Sequence, residues 1–199
     1  DVAELALDLT EKAAKTLGVE RAAVWLFQDQ EHELRCLALY ETSKGEHSWG
    51  KILDEGPFGL EFDYLKSNWY VAAHDALSDP RMAGYRESYL KPLNITSVLD
   101  VVVRVAGRNL GMVCFEHVSR PHQWDSDEIA FACQLADQLS IAQANYDRRR
   151  AEAELLKKKE ALEETNRQLK EAIASTNEMA VAAEMASIAK SQFLANMSH

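Results

Sequence analysis

Thr96-Ser97-Val98-Leu99-Asp100-Val101-Val102-Val103-Arg104-Val105-Ala106, then Gly107-Arg108-Asn109, then Leu110-Gly111-Met112-Val113-Cys114-Phe115-Glu116-His117-Val118: two runs rich in β-branched residues, separated by a short glycine-bearing segment, read as an antiparallel hairpin with Gly107-Arg108-Asn109 as its turn. The centres of the runs, Val101-Val102-Val103 and Met112-Val113-Cys114-Phe115, are apolar at successive positions. Successive side chains of a strand point to opposite faces, so both faces of this sheet must be covered. Asp100 interrupts the pattern. A buried carboxylate is costly unless paired, so Asp100 calls for Arg104 or Arg86 as a partner, or for a polar ligand. Glu116, nearer a strand end, raises the same question more weakly.

Upstream, Val2, Leu5, Ala6, Leu9, Ala13 and Leu17 fall on one helical face, with Gly18 placed just past the helix end. Residues 20–28 switch to a dense apolar run, a strand buried on both faces, and Leu34 to Tyr40 read as its antiparallel partner. Residues 41–60 carry Gly45, Gly50, Gly56, Pro57 and Gly59, with Trp49 and Phe58 among them, and read as irregular covering chain. A short helix is expected around Glu61 to Ser67, an edge strand over Trp69 to Ala73, and a helix from Asp79-Pro80-Arg81 to Leu90, closed by Pro92. Trp49, Tyr64, Trp69, Tyr85 and Tyr89 either converge with Asp100 on a ligand pocket or fill the core.

Downstream, Asp125 followed by Glu128 has the spacing of a capping box, and neither Pro nor Gly occurs from there to His199. The first turns, with Ile129, Ala132, Leu135, Ala136 and Leu139, should pack on the sheet. Farther on, Leu155, Leu162 and Leu169 recur every seven residues, with Lys159, Asn166 and Ile173 four residues after each. These are the d and a positions of a coiled coil, and a polar Asn at an a position favours a parallel, in-register dimer at some cost in stability. Arg148-Arg149-Arg150 and Lys157-Lys158-Lys159 read as solvated helix faces balanced by nearby glutamates. The fold class expected is α+β: a central antiparallel sheet with helices on both faces, followed by a long C-terminal helix that forms a parallel dimeric coiled coil.

Two resemblances attach to these residues. Ala73-His74-Asp75-Ala76 with Asp79-Pro80-Arg81, Gly111 to Phe115, and Trp124 to Ala132 resemble the matching pieces of a GAF domain, and the order of elements fits one over residues 1–145. A PAS domain, whose helices lie between its first and last strand pairs, fits the long helical start and return less well. The GAF resemblance implies a ligand pocket on the sheet face away from the terminal helices. Phe193-Leu194-Ala195-Asn196-Met197-Ser198-His199 resembles, position by position, the start of the dimerisation helix of sensor histidine kinases. That resemblance makes His199 the phosphoacceptor, phosphorylated from ATP in a parent protein. It also divides the chain into a GAF domain (1–145), a signalling coiled-coil linker (146–186) and the truncated start of the phosphotransfer helix (187–199). The family's ATP-binding domain is missing, and the chain opens on Asp1, so a non-catalytic segment of a longer, hybrid kinase is expected, acting with a response regulator or receiver domain.

Within the GAF family the ligand varies. The Asn-Lys-x-Phe-x-Asp-Glu pattern of cyclic-nucleotide binders is absent, and no cysteine has the neighbours of a bilin-attaching one, so neither a cyclic nucleotide nor a covalent bilin is expected; the sequence leaves the ligand open to another small molecule or to a partner contact. His74 and His117 are of a type that ligates haem or iron, but each adjoins a carboxylate in sequence, and hydrogen-bonded roles rather than a metal site are expected. Cys36, Cys114 and Cys133 are odd in number and far apart, which suits a reducing compartment, and inert core thiols are expected in preference to a redox enzyme. A net charge of −10 argues against nucleic acid, and no apolar run approaches the roughly 20 residues of a membrane span. Together these readings give a cytoplasmic input and dimerisation segment, with a ligand-free GAF dimerisation module as the alternative.

Overall fold

Small residues on one helical face set how closely the first helix can lie on a sheet, and here they do so: α1 (Val2–Leu17) buries Ala6, Leu9, Thr10, Ala13 and Ala14. The computed structural model describes residues 2–28, 33–54, 61, 63–65 and 67–197. The chain divides into two units, 1–147 and 148–199. The first is built on a seven-stranded antiparallel sheet of β1 (Arg21–Gln28), β2 (Glu33–Glu41), β3 (Glu46–Ser48), β4 (Ile52–Asp54), β5 (Tyr70–Ala73), β6 (Ile95–Val105) and β7 (Arg108–Val118). The order across it is β3-β2-β1-β7-β6-β5, with β4 also on β2.

Strand alternation sorts the apolar residues into two cores. On one face Val24, Leu99, Val101, Val113 and Phe115 meet α1 and the first turns of α2 (Ser126–Met197), which buries Ala132, Ala136 and Leu139. On the other face Trp25, Val98, Val102, Met112 and Cys114 meet the chain between β4 and β6, chiefly Leu65, Met82, Tyr85, Tyr89 and Leu90. Asp100, two residues from both Val98 and Val102, shares their face. The start of α2 is a reciprocal cap: Asp125 Oδ1 accepts from the N–H groups of Asp127 (2.8 Å) and Glu128 (2.9 Å), and Glu128 Oε2 accepts from the Asp125 N–H (2.9 Å).

Three local expectations change. The chain expected to be irregular between residues 41 and 60 includes β3 and β4, which pair with opposite ends of β2; three-residue strands are too short to show a period. The helix expected from Asp79 to Leu90 is a 3₁₀ segment, Pro80–Tyr85, capped by the Asp79 side chain, followed by a π turn, Arg86–Leu90. The β6–β7 turn falls on Ala106 and Gly107, with φ of 50° and 78°. Both positive values make a primed two-residue turn, whose twist matches that of the strands, even though Ala106 carries a left-handed strain of about 1–2 kcal/mol.

The second unit is the remainder of α2, helical through Met197. Its large apolar residues, Leu155, Leu162, Leu169 and Ile173 among them, are all exposed, as are Phe193 and Met197. Its surface pairs are of helical spacing, such as Arg150 with Glu154 and Arg167 with Glu164 and Glu171. Such exposed pairs contribute little individually. No described helix is long and apolar enough to cross a membrane.

Candidate functional site

The sheet face away from α1 and α2 carries a cavity of about 20 Å³, the space of one water molecule, walled by Trp25, Met112, Tyr85 and Tyr89 and by three carboxyl groups, those of Glu61, Asp100 and Glu116. The carboxyls reach it differently. Asp100 and Glu116 come from the central hairpin by strand alternation, and Glu61 from the helical residues that follow β4.

Glu116 is answered by Arg21. Arg21 stands in register with Glu116 on β7 and with Glu41 on β2, so one guanidinium bridges three adjacent strands. Its Nε donates to Glu116 Oε2 and its Nη1 to Glu41 Oε1, both at 2.6 Å, and Nη2 donates to the Tyr89 hydroxyl at 3.4 Å. Burial by itself would weaken the hold of Arg21 on its proton, but the Glu116 charge, with Tyr89 and the hydrogen bonds to both, together outweigh it and raise the group. Burial likewise pushes the Glu41 carboxyl up, while hydrogen bonds from Lys44 and Arg21 bring it below the usual range.

Asp100 meets neither expected partner. Arg104 lies four residues away, about 13 Å along a strand, and its guanidinium donates to the Leu65 (2.7 Å) and Asn68 (2.9 Å) carbonyls while lying 4.8 Å over the Trp69 ring. Arg86 donates to the Asp79 carbonyl at 3.3 Å. Asp100 is instead hydrogen-bonded to Glu61, and both are 1% exposed. Burial pushes the Asp100 carboxyl well above the usual carboxylate range and the Glu61 charge pushes it further. Burial raises Glu61 as well. A hydrogen bond between two carboxyls needs a proton, so the pair is not a dianion. Asp100 Oδ1 and Glu61 Oε1 are buried without a hydrogen-bond partner. The Tyr85 hydroxyl, which also contacts Met82 Sδ, is raised by burial and by these two carboxyls.

Of the aromatic residues singled out by sequence, Tyr85 and Tyr89 join Asp100 at this cavity, and the other three do not. Trp49, 70% exposed, lines a groove with Leu7 and Leu37. Tyr64 and the 63% exposed Trp69 line another with His74, Arg81 and Trp124, where the Arg81 guanidinium lies 5.0 Å over the Tyr64 ring. Sequence reasoning missed Trp25 and Glu61. The available signal for Glu61 was a carboxylate set between Leu60 and Phe62. His199 lies outside the described residues.

The two histidines singled out as candidate ligands, His74 and His117, are engaged in structural contacts. His74 Nδ1 accepts the Trp124 N–H at 3.0 Å, and His117 Nδ1 lies 3.1 Å from Glu20 Oε2 with its ring 4.3 Å from that of His122. Burial, and then His122, holds His117 below the usual range. Among the described residues no group of three or more His, Cys, Asp or Glu is placed to hold a metal ion. Burial pushes Cys36 up to about 11, Cys114 well above the ordinary thiol range, and Cys133 upward. A redox enzyme needs a thiolate, and these environments disfavour one. Native protein at pH 8 treated with a thiol-titrating disulfide should therefore leave Cys36 and Cys114 unmodified until denaturant is added; rapid labelling of either would restore the redox reading.

The chain matches the family model of the GAF domain over residues 1–143. Among curated proteins no sequence matches it. Solved structures similar to it include the blue-light-absorbing form of the PixJ GAF domain of Thermosynechococcus elongatus (TM-score 0.65, 18% identity, covering 77% of this chain and 92% of that one). A far-red-absorbing dark-state protein with bound biliverdin IXα is also similar (0.62, 15%, 74% and 92%). So is a domain assigned to a two-component sensor histidine kinase protein of Sinorhizobium meliloti 1021 (0.53, 18%, 71% and 93%). At these identities the likeness is one of fold. It nevertheless corrects the expectation that set a covalent bilin aside, because cyanobacteriochrome domains, one with bound biliverdin IXα, stand among the similar folds. The neighbours of a cysteine bear on a covalent thioether alone, whereas a large ligand is also held by shape and non-covalent contacts. A two-sided antiparallel sheet, its terminal helices on one face and a covered acidic cavity on the other, together with the match over residues 1–143, places this chain in the GAF family of sensory domains of signalling proteins.

Proposed function

We propose that this chain is the sensory input and dimerisation segment of a sensor histidine kinase, in which the state of the GAF cavity biases α2 and through it the phosphoacceptor His199. The observation that supports this reading is the run 193–199, which reproduces the start of that family's phosphotransfer helix, at the end of a helix whose Leu155, Leu162, Leu169 and Ile173 are exposed at coiled-coil spacing. Pairing two copies in parallel would bury that stripe. Lys159 and Asn166, at a positions of the same seam, keep it weak, and a coupling of about 1–3 kcal/mol suffices to switch such an element.

Native mass spectrometry of the chain should give a dimer, and a monomer at micromolar concentration would sink the dimerisation step. In the intact kinase Asn166→Leu should lock or strongly shift basal autophosphorylation, because a stronger seam loses its second packing; an unaltered signal response would remove the seam as the conduit. A second reading, a ligand-free dimerisation module, draws on the smallness of the cavity, which the side chains of Trp25, Tyr85 and Tyr89 nearly fill. The same spectrum separates the two, since a stoichiometric extra mass on the dimer excludes the ligand-free module.

A further inference from the structure

Resting on the sensory reading of the GAF cavity, we propose that it binds a small protonated amine, ammonium or methylammonium in size, between Glu61 Oε1 and Asp100 Oδ1. Both carboxyls are 1% exposed and line the cavity, and apart from the proton that the pair shares neither of these two oxygens has a hydrogen-bond donor. A buried acceptor left unmatched is costly, so the site favours a guest that donates.

Charge narrows the class. Arg81, the cation that acts on Glu61, is committed to Asp79 (2.6 Å) and the Ala72 carbonyl (3.1 Å), and Arg21, at the cavity's third carboxyl, is committed to Glu116 and Glu41. The other titratable groups acting on the pair, Tyr85, Cys114 and Glu116, supply no positive charge. A guest cation would complete the balance. Aromatic side chains of Tyr85, Tyr89 and Trp25 stand around the same space, and aromatic faces attract ammonium groups. Two carboxyls in an aromatic setting are a poor site for a hard metal ion, which takes six or more oxygen ligands or keeps its water. Volume sets the size, because about 20 Å³ admits a guest of the dimensions of water or ammonium, and the one added methyl group of methylammonium requires a small outward shift of the cover.

Proton balance follows from the hydrogen bond within the pair. With the cavity unliganded, Glu61 and Asp100 share at least one proton. When the amine enters as a cation and donates N–H to both free oxygens, a shared proton leaves to solvent, so binding exchanges one positive charge for another and tightens as pH rises toward the range where the amine itself deprotonates.

The test uses the whole chain at pH 7.5 and constant ionic strength, with sodium chloride replaced stepwise by ammonium, methylammonium or potassium chloride. Ammonium and methylammonium should raise the melting temperature by about 5 °C at a hundredfold excess over Kd. Potassium, of similar size but without N–H groups, should not. Calorimetry in two buffers of different ionisation heat should show close to one proton released per amine bound. Asp100→Asn, which keeps the shape and removes the charge, should bind amine at least about tenfold more weakly, and an unreduced melting temperature without amine would show the variant to be folded. Should that variant fail to fold, Glu61→Gln serves the same comparison. An equal rise with potassium, or a response retained in folded Asp100→Asn, overturns the proposal. A melt unmoved by either amine but raised by a low-molecular-weight cell extract overturns the amine and leaves the sensory reading standing; a melt moved by none of them overturns both.

Discussion

Replacing Arg21 with methionine should cost about 3–5 kcal/mol of stability, read as a fall in denaturant midpoint at unchanged slope. Arg21 holds Glu116 and Glu41 at 2.6 Å each, with the Arg21 and Glu116 side chains 9% and 4% exposed. Methionine fills a similar length but leaves Glu116 buried without its charge partner, and an uncompensated buried charge is the expensive outcome. The cost lies in the remaining carboxylate, so a second substitution should recover most of it: Arg21→Met with Glu116→Leu should come within about 1–2 kcal/mol of the parent, as apolar replacements of whole buried pairs do. A double variant no more stable than Arg21→Met would show instead that the three-strand bridge is needed for the sheet itself.

Gly111→Ala should be comparably severe, with a loss of about 3 kcal/mol or more, at the upper end of overpacking costs. A Cβ at Gly111 would lie 1.9 Å from the Trp25 carbonyl oxygen and 2.8 Å from the Leu26 Cα. Both are backbone atoms of β1, the strand paired with β7 at this point, so no side chain can swing aside and the two strands must part. Gly107→Ala is the control. There a Cβ meets nothing within 4 Å and only the φ of 78° resists it, so a cost of about 1–2 kcal/mol is expected. Equal losses at the two positions, measured by chemical denaturation, would mean that conformational freedom rather than close approach keeps Gly111.

These two glycines show where the sequence was legible and where it was not. The β6–β7 hairpin, the apolar centres of both strands and the capped start of α2 all carry local signals, and they stand at or within a few residues of where alternation and capping put them. Gly111 looks from sequence like a weak point in a strand; its reason is a neighbour 85 residues earlier in the chain. Neither arginine close to Asp100 in sequence is its partner for the same cause, because the group that meets it is a glutamate brought over from the covering chain. Like-charged partners are invisible to any search for complementary residues. Arg21 and Glu116 were similarly out of reach, since their registry depends on β1 pairing with β7 rather than on spacing. Composition does not say which side of a covering segment each of the five aromatic rings takes.

Strand β6 gives the cavity Asp100 and gives the helices Leu99 and Val101, its immediate neighbours in the chain. The sheet is therefore a party wall: plaster stripped from one room is felt in the next because there is a single course of brick. Ser97, on the same strand, accepts the N–H of His122 at 2.7 Å and donates to the carbonyl of His74, whose ring accepts the N–H of Trp124 just ahead of α2. A guest that shifts Asp100 by a fraction of an ångström needs no relay of side chains to be noticed there, since the brick it pushes is already mortared to the doorframe of the helix.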